Sequence, residues 1–147
     1  MSTRSTVHFV DEYDEVIVYV HHDGYLTGRG EQLLRFVERL QGLRDSRLSE
    51  ASGTAAKFVA FMFEEYQKDL GPASKDFEGN PRPERDPLET ISIRIMGGDP
   101  GDIEFRYFVR GEAITYQKVT WTESGSKFSR EEPVTRWFMK RWQKGLD

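Results

Sequence analysis

The 147-residue chain contains no cysteine. Disulfides, thiolate metal centres and cysteine nucleophiles are therefore excluded, and a reducing compartment fits. Histidine is scarce, with three residues. No apolar run approaches the roughly 20 residues that a membrane helix needs. The opening MSTRSTVHFVDEYDE lacks the apolar stretch of a signal peptide. No internal repeat is visible. Together these absences predict a soluble, cytoplasmic protein with no membrane association.

What the chain does have is rings. With 10 Phe, 6 Tyr and 3 Trp, a core of large aromatics is available although charged residues make up 31%. The length suits one compact domain over residues 1–147. The net charge of -4 is unevenly spread. From Ser126 onward six basic residues face three acidic ones, so that end carries a surplus of three positive charges and the rest of the chain is correspondingly more acidic. A basic end on an acidic body suits phosphates or an acidic partner; a solvated helix face has the same composition.

Thr6 to Val10 reads as a strand, followed by an acidic five-residue loop, Asp11 to Glu15. Val16 to His21 is the strongest strand, and its unbroken β-branched and aromatic run predicts cover on both faces. Leu33, Leu34, Phe36, Val37 and Leu40 recur at helical spacing, which predicts an amphipathic helix from about Gly28 to Gln41. Ala55, Phe58, Val59, Met62 and Tyr66 predict a second, from about Thr54 to Asp69, stopped by Gly71-Pro72. The 71–89 stretch holds four of the six prolines and reads as a mobile loop.

Ile91, Ile93 and Ile95 then alternate with polar residues, as do Ile103, Phe105, Tyr107 and Val109. Each such strand has one apolar and one polar face. GGDPGD between them is a turn signal. A third strand runs from Ala113 to Trp121. A polar loop, Thr122 to Arg130, leads to a last helix that opens at Pro133 behind Glu131 and Glu132. Val134, Trp137, Phe138 and Trp142 would face the body. The order β-β-α-α-β-β-β-α is that of an α+β domain: an antiparallel sheet of about five strands with helices on one face.

Three stretches carry a resemblance: MSTR at 1 to 4, HHDGY at 21 to 25 and GDIEFRY at 101 to 107. As a set they resemble an uncharacterised family of small bacterial, archaeal and phage proteins. That family shares an MSTR start, a His-x-Asp-Gly-Tyr turn and a Gly-Asp-x-Glu-aromatic-Arg-Tyr strand. The match spans residues 1 to about 120. Two positions depart from it, His22 where Trp is common and Leu26 where Pro is common. The resemblance implies a fold and a phage or mobile-element context, with antagonism of host defence as one role. It also points to His21, Asp23, Gly24, Tyr25, Asp102, Glu104, Arg106 and Tyr107, and it implies no reaction.

The residues themselves suggest four site chemistries. His21 and His22 fall on opposite sides of a strand and with Asp23 supply too few convergent ligands, so no metal or other cofactor is expected. His21 with Asp23, or with Glu104, would make an acid-base pair for a small hydrolase or nuclease. Asp23-Gly24 is equally a common turn pair, with Tyr25 packed beneath. Gly24, Gly28 and Gly30 between strand and helix, beside Arg29, would cradle a small anionic ligand, although the Walker lysine and dinucleotide spacing are missing. Arg94 and Arg106 share the polar strand phase with Glu104. On the last helix, Arg136, Lys140, Arg141 and Lys144 alternate with tryptophans, a pattern used on nucleic acids. The favoured reading is a non-catalytic binding protein that engages a protein partner or a nucleotide-like anion through the HHDGY corner and nearby sheet residues. The alternatives are the hydrolase and nucleic-acid binding through the last helix.

Overall fold

The computed structural model describes residues 3–45, 47–70, 75, 77–81, 88 and 92–143. In chain order it has β1 (Ser5–Val10), β2 (Glu15–Val20), a π-helical turn (Leu26–Gly30), α1 (Glu31–Gln41) and α2 (Ala51–Leu70). Then come β3 (Ile93–Met96), β4 (Phe105–Arg110), β5 (Ala113–Thr122), β6 (Gly125–Phe128), β7 (Glu132–Pro133) and α3 (Arg136–Gln143). The expected α+β class is present. The sheet is larger than expected: seven strands, ordered β3-β2-β1-β4-β5-β6, with β7 also on β5. It is not wholly antiparallel, because β1 and β4 run parallel at its centre, Ser5 opposite Phe105 and Phe9 opposite Val109. Alternation shows which face a residue takes but not which strands are neighbours.

Alternate residues of the central strands, Val7, Phe9, Val18, Val20, Phe105, Tyr107 and Val109, are buried on one face. The helices pack there. From α1, Leu33, Phe36, Val37 and Leu40 point inward, and α2 contributes Ala55, Phe58 and Met62. Phe9, Phe36 and Phe58 meet with ring centroids 5.3–6.4 Å apart. Such aromatic contacts add to plain area burial. The β1–β2 loop has four residues, not five, because Val10 already pairs with Glu15. Its Asp11 carboxylate accepts the Tyr13 and Asp14 N–H groups, both at 2.7 Å, and with its other oxygen the N–H of Ala51 at 2.7 Å. A hairpin residue thus caps α2, taking up one of the helix's free N–H groups.

Three further expectations need correction. The GGDPGD turn signal does not join neighbouring strands: β3 lies at the sheet's edge with β2 and β1 between it and β4, so residues 97–104 cross both. The crossover runs over the face without helices, where Ile103 is buried with Tyr19, Val119 and Met96. β2 is therefore covered on both sides, as its composition predicts. The polar 122–130 stretch contains β6, paired through Val119 and Phe128. Glu132-Pro133 does not open a helix but pairs with Thr115 and Tyr116 at a sheet margin, where a missing N–H is tolerated. α3 consequently starts at Arg136 and its phase is rotated. Val134 and Met139 are buried, while Trp137 is 65% exposed. The Phe138 and Trp142 side chains and most of the 71–89 loop, expected to be mobile, lie outside the described residues. No described helix is long and apolar enough to cross a membrane.

Candidate functional site

The HHDGY corner is built from close backbone contacts. Asp23 sits at φ 55°, a left-handed conformation that aspartate tolerates better than most residues. The Gly24 N–H donates to the Thr3 carbonyl at 2.8 Å, and the Gly24 carbonyl accepts the buried Tyr107 hydroxyl at 2.7 Å. A Cβ on Gly24 would stand 2.8 Å from Ser5, and one on Gly28 would collide with the Asp23 carbonyl. Both glycines are required by close approach. Arg29 turns inward and is 1% exposed. Its guanidinium donates to the His22 carbonyl at 2.6 Å, to Gln32 Oε1 and to Met62 Sδ. No carboxylate among the described residues pairs with it, and burial pulls its pKa below the ordinary arginine value.

The three stretches behind the resemblance meet here. Arg4 pairs with Asp102 at 3.2 Å, Thr3 bonds Gly24, and Gly24 bonds Tyr107. They brace the N-terminal strand, the β2 corner and β4 against one another.

A side-chain site opens on the other face of the sheet. His21 lies two residues beyond Tyr19, on the same side of β2, and its N–H donates to the Ser92 carbonyl at 3.2 Å. Tyr19, His21, Ser92, Ile93 and Arg94 line a cavity of about 300 Å³. The Arg94 guanidinium stands 5.8 Å from the Tyr19 ring centroid. The Tyr19 hydroxyl and His21 Nδ1 are 3.0 Å apart. Burial first, and the nearby Asp102 carboxylate second, push the Tyr19 pKa up, so the hydroxyl keeps its proton. A hydroxyl can give or take the hydrogen bond to Nδ1, so it holds the imidazole ring in place in either tautomer. The cavity offers an imidazole, a guanidinium and a serine hydroxyl, and no carboxylate lines it among the described residues.

Of the residues singled out by sequence, this site takes His21 and the neighbouring Arg94. The exposed ring of His22 stands edge-on to His21 at 4.6 Å. Asp23 is exposed and accepts the Tyr25 hydroxyl at 3.3 Å, and its negative charge first, with burial and that bond after it, raises the Tyr25 pKa. His21 is thus bonded to a phenol and not to Asp23. Gly28, Arg29 and Gly30 belong to the π-helical turn on the helix side. Glu104 is exposed, and its backbone links Arg4 to Val119. Arg106, on the open face, is held under the Phe128 ring at 4.2 Å and salt-bridged to Asp99 at 3.4 Å. Arg136 clasps Glu31 and Glu38 of α1 at 3.2 and 2.8 Å, and Lys140 of the basic set is exposed. The Arg141 side chain and Lys144 lie outside the described residues.

Sequence reasoning missed Tyr19 and Ser92 as cavity walls, although the two-residue step from Tyr19 to His21 was a usable signal. It also missed a cluster on the open face, buried His8 with the more exposed Glu15 and Asp99, which three separate chain segments supply. Among the described residues no group of three or more His, Asp or Glu is placed to hold a metal ion. No protein-family model, curated protein or solved structure matches the chain.

Proposed function

We propose that the protein is a non-catalytic binding protein for a small anionic ligand, taken up in the cavity between His21 and Arg94. One observation carries this reading: among the described residues the cavity is lined by polar groups at the ends of β2 and β3, His21, Ser92 and Arg94, and by no acid. Arg94 is exposed at the cavity wall, where its guanidinium suits a phosphate or carboxylate. The Tyr19 ring beside it gives a planar surface, which suits a nucleotide-like ligand. The volume is at the small end of ligand sites. Membership of the phage and bacterial family, and a role against a host system, are part of the same proposal; the joining of its three shared stretches at one corner supports treating them as a set.

The test is an NMR titration of the purified chain with inorganic phosphate and with ribonucleoside monophosphates. Saturable shifts at residues 19, 21 and 92–94 are expected, with affinity reduced at least about tenfold in Arg94→Ala, the scale of one charge-assisted hydrogen bond. No shift at millimolar ligand, or equal binding by Arg94→Ala, overturns the reading.

A further inference from the structure

The His8 imidazole is 1% exposed, on the face of the sheet opposite the helices. Its Nδ1 lies 2.7 Å from Glu15 Oε1 on β2, and its Nε2 lies 3.1 Å from Asp99 Oδ1 on the crossover. The Thr6 hydroxyl, on β1 itself, is also 3.0 Å from Nε2. From β4 the Phe108 ring packs on the imidazole with centroids 4.9 Å apart, and Arg106 reaches the other oxygen of Asp99 at 3.4 Å. Arg110, also on β4, stands 4.9 Å from the centroid of the same Phe108 ring.

Both ring nitrogens can donate only when the imidazole carries two protons. A doubly protonated His8 bonds Glu15 and Asp99 together. Once one proton leaves, Nδ1–H keeps Glu15 and the bare Nε2 faces two oxygens. Thr6 can rotate its hydroxyl hydrogen toward that nitrogen; the Asp99 carboxylate has no proton to offer and meets a lone pair. Thr6 and Asp99 thus compete for Nε2, and the charge on His8 decides between them.

Asp99 matters because little else holds the crossover. Its backbone ties to the strands among the described residues are all at its last residue, where the Glu104 N–H meets the Arg4 carbonyl and the Glu104 carbonyl accepts the Val119 N–H. Gly97, Gly98 and Gly101 have open space where a Cβ would stand. The side-chain pins are Asp99 on His8 and Arg106, Asp102 on Arg4, and buried Ile103.

We infer that the 97–104 crossover is a strap latched to the sheet by protonated His8, and that loss of the His8 proton loosens it over Tyr19 and Ile103. The inference stands apart from the ligand proposal, though the strap and the cavity share Tyr19. Imidazole is the side chain suited to such a change near neutral pH.

The experiment is amide hydrogen exchange of residues 97–104 by NMR, from about pH 5 to pH 8, corrected for intrinsic rates, alongside the His8 ring resonances. Strap protection is expected to fall about tenfold, the scale of one charge-assisted hydrogen bond, in step with His8 deprotonation. His8→Gln should exchange at the high-pH rate throughout, and Asp99→Asn should lose the dependence while the strands keep their protection. Protection that does not change with pH, or a pH response that survives in Asp99→Asn, overturns the inference. If His8→Gln does not fold, the wild-type titration decides alone: strap amides that do not follow the His8 ring refute it.

Discussion

The Tyr107 hydroxyl donates to the carbonyl of Gly24 at 2.7 Å, fully buried and 83 residues apart in the chain. Burial drives the phenol pKa far above its ordinary value, so it is a permanent donor. Tyr107→Phe keeps the ring and strands the carbonyl. A buried acceptor without a partner costs roughly 1–3 kcal/mol. Urea unfolding should show that loss with an unchanged denaturant slope, because the same surface is exposed. A loss below about 0.5 kcal/mol would mean that water reaches the Gly24 carbonyl.

Gly24→Ala tests the same corner sterically. Its methyl group would meet both Ser5 Cβ and the Thr3 carbonyl oxygen at 2.8 Å. Backbone on one side cannot yield as a flexible side chain would. A destabilisation of roughly 1–3 kcal/mol is expected from overpacking. Gly98→Ala, where a methyl group meets nothing within 4 Å, is the control and should unfold like the wild type.

Asp11 ties the β1–β2 loop to the start of α2. Hydrogen bonds from the Ala51, Tyr13 and Asp14 N–H groups favour the carboxylate and lower its pKa. A lowered folded-state pKa means that the stabilisation is complete above the ordinary aspartate value. It is lost as pH falls through the lower, folded-state value. Asp11→Ala should therefore melt below the wild type at neutral pH, with the difference in melting temperature shrinking on acidification below the ordinary aspartate range. A difference that does not change at acid pH would show that the cap works through packing and not through charge.

The faces of the elements were legible from residue spacing, and the neighbours were not. Leu33, Phe36, Val37 and Leu40 marked the buried side of α1, and the unbroken run through Tyr19 marked a strand covered on both faces. Nothing local says that β1 lies between β2 and a parallel β4, since that pairing joins Ser5 to a residue a hundred positions away. The same non-local step created the crossover and with it the His8, Glu15 and Asp99 cluster. At the corner, the glycines and Asp23 were visible as a turn because turn chemistry is local. That Arg29 would go inward while Arg94 formed the cavity was not visible: both read as polar residues beside apolar ones, and only the packed sheet separates them.

Arg29 offers the sharpest test of what a buried charge does in this fold. Its guanidinium is satisfied by neutral acceptors alone, and its Nε has no partner. Two effects oppose each other on substitution. Arg29→Met removes the desolvation cost of the cation and fills the space, but it orphans the His22 carbonyl. Arg29→Lys keeps the charge, with a smaller head that cannot span His22, Gln32 and Met62 at once. Uncompensated buried charge is costlier than one lost hydrogen bond. Arg29→Lys should therefore be the less stable variant, by about 1 kcal/mol or more. Thermal unfolding of both variants against the wild type decides the point. If Arg29→Met is the worse, the guanidinium's hydrogen bonds dominate, and the residue's main work is to hold the peptide that follows His21.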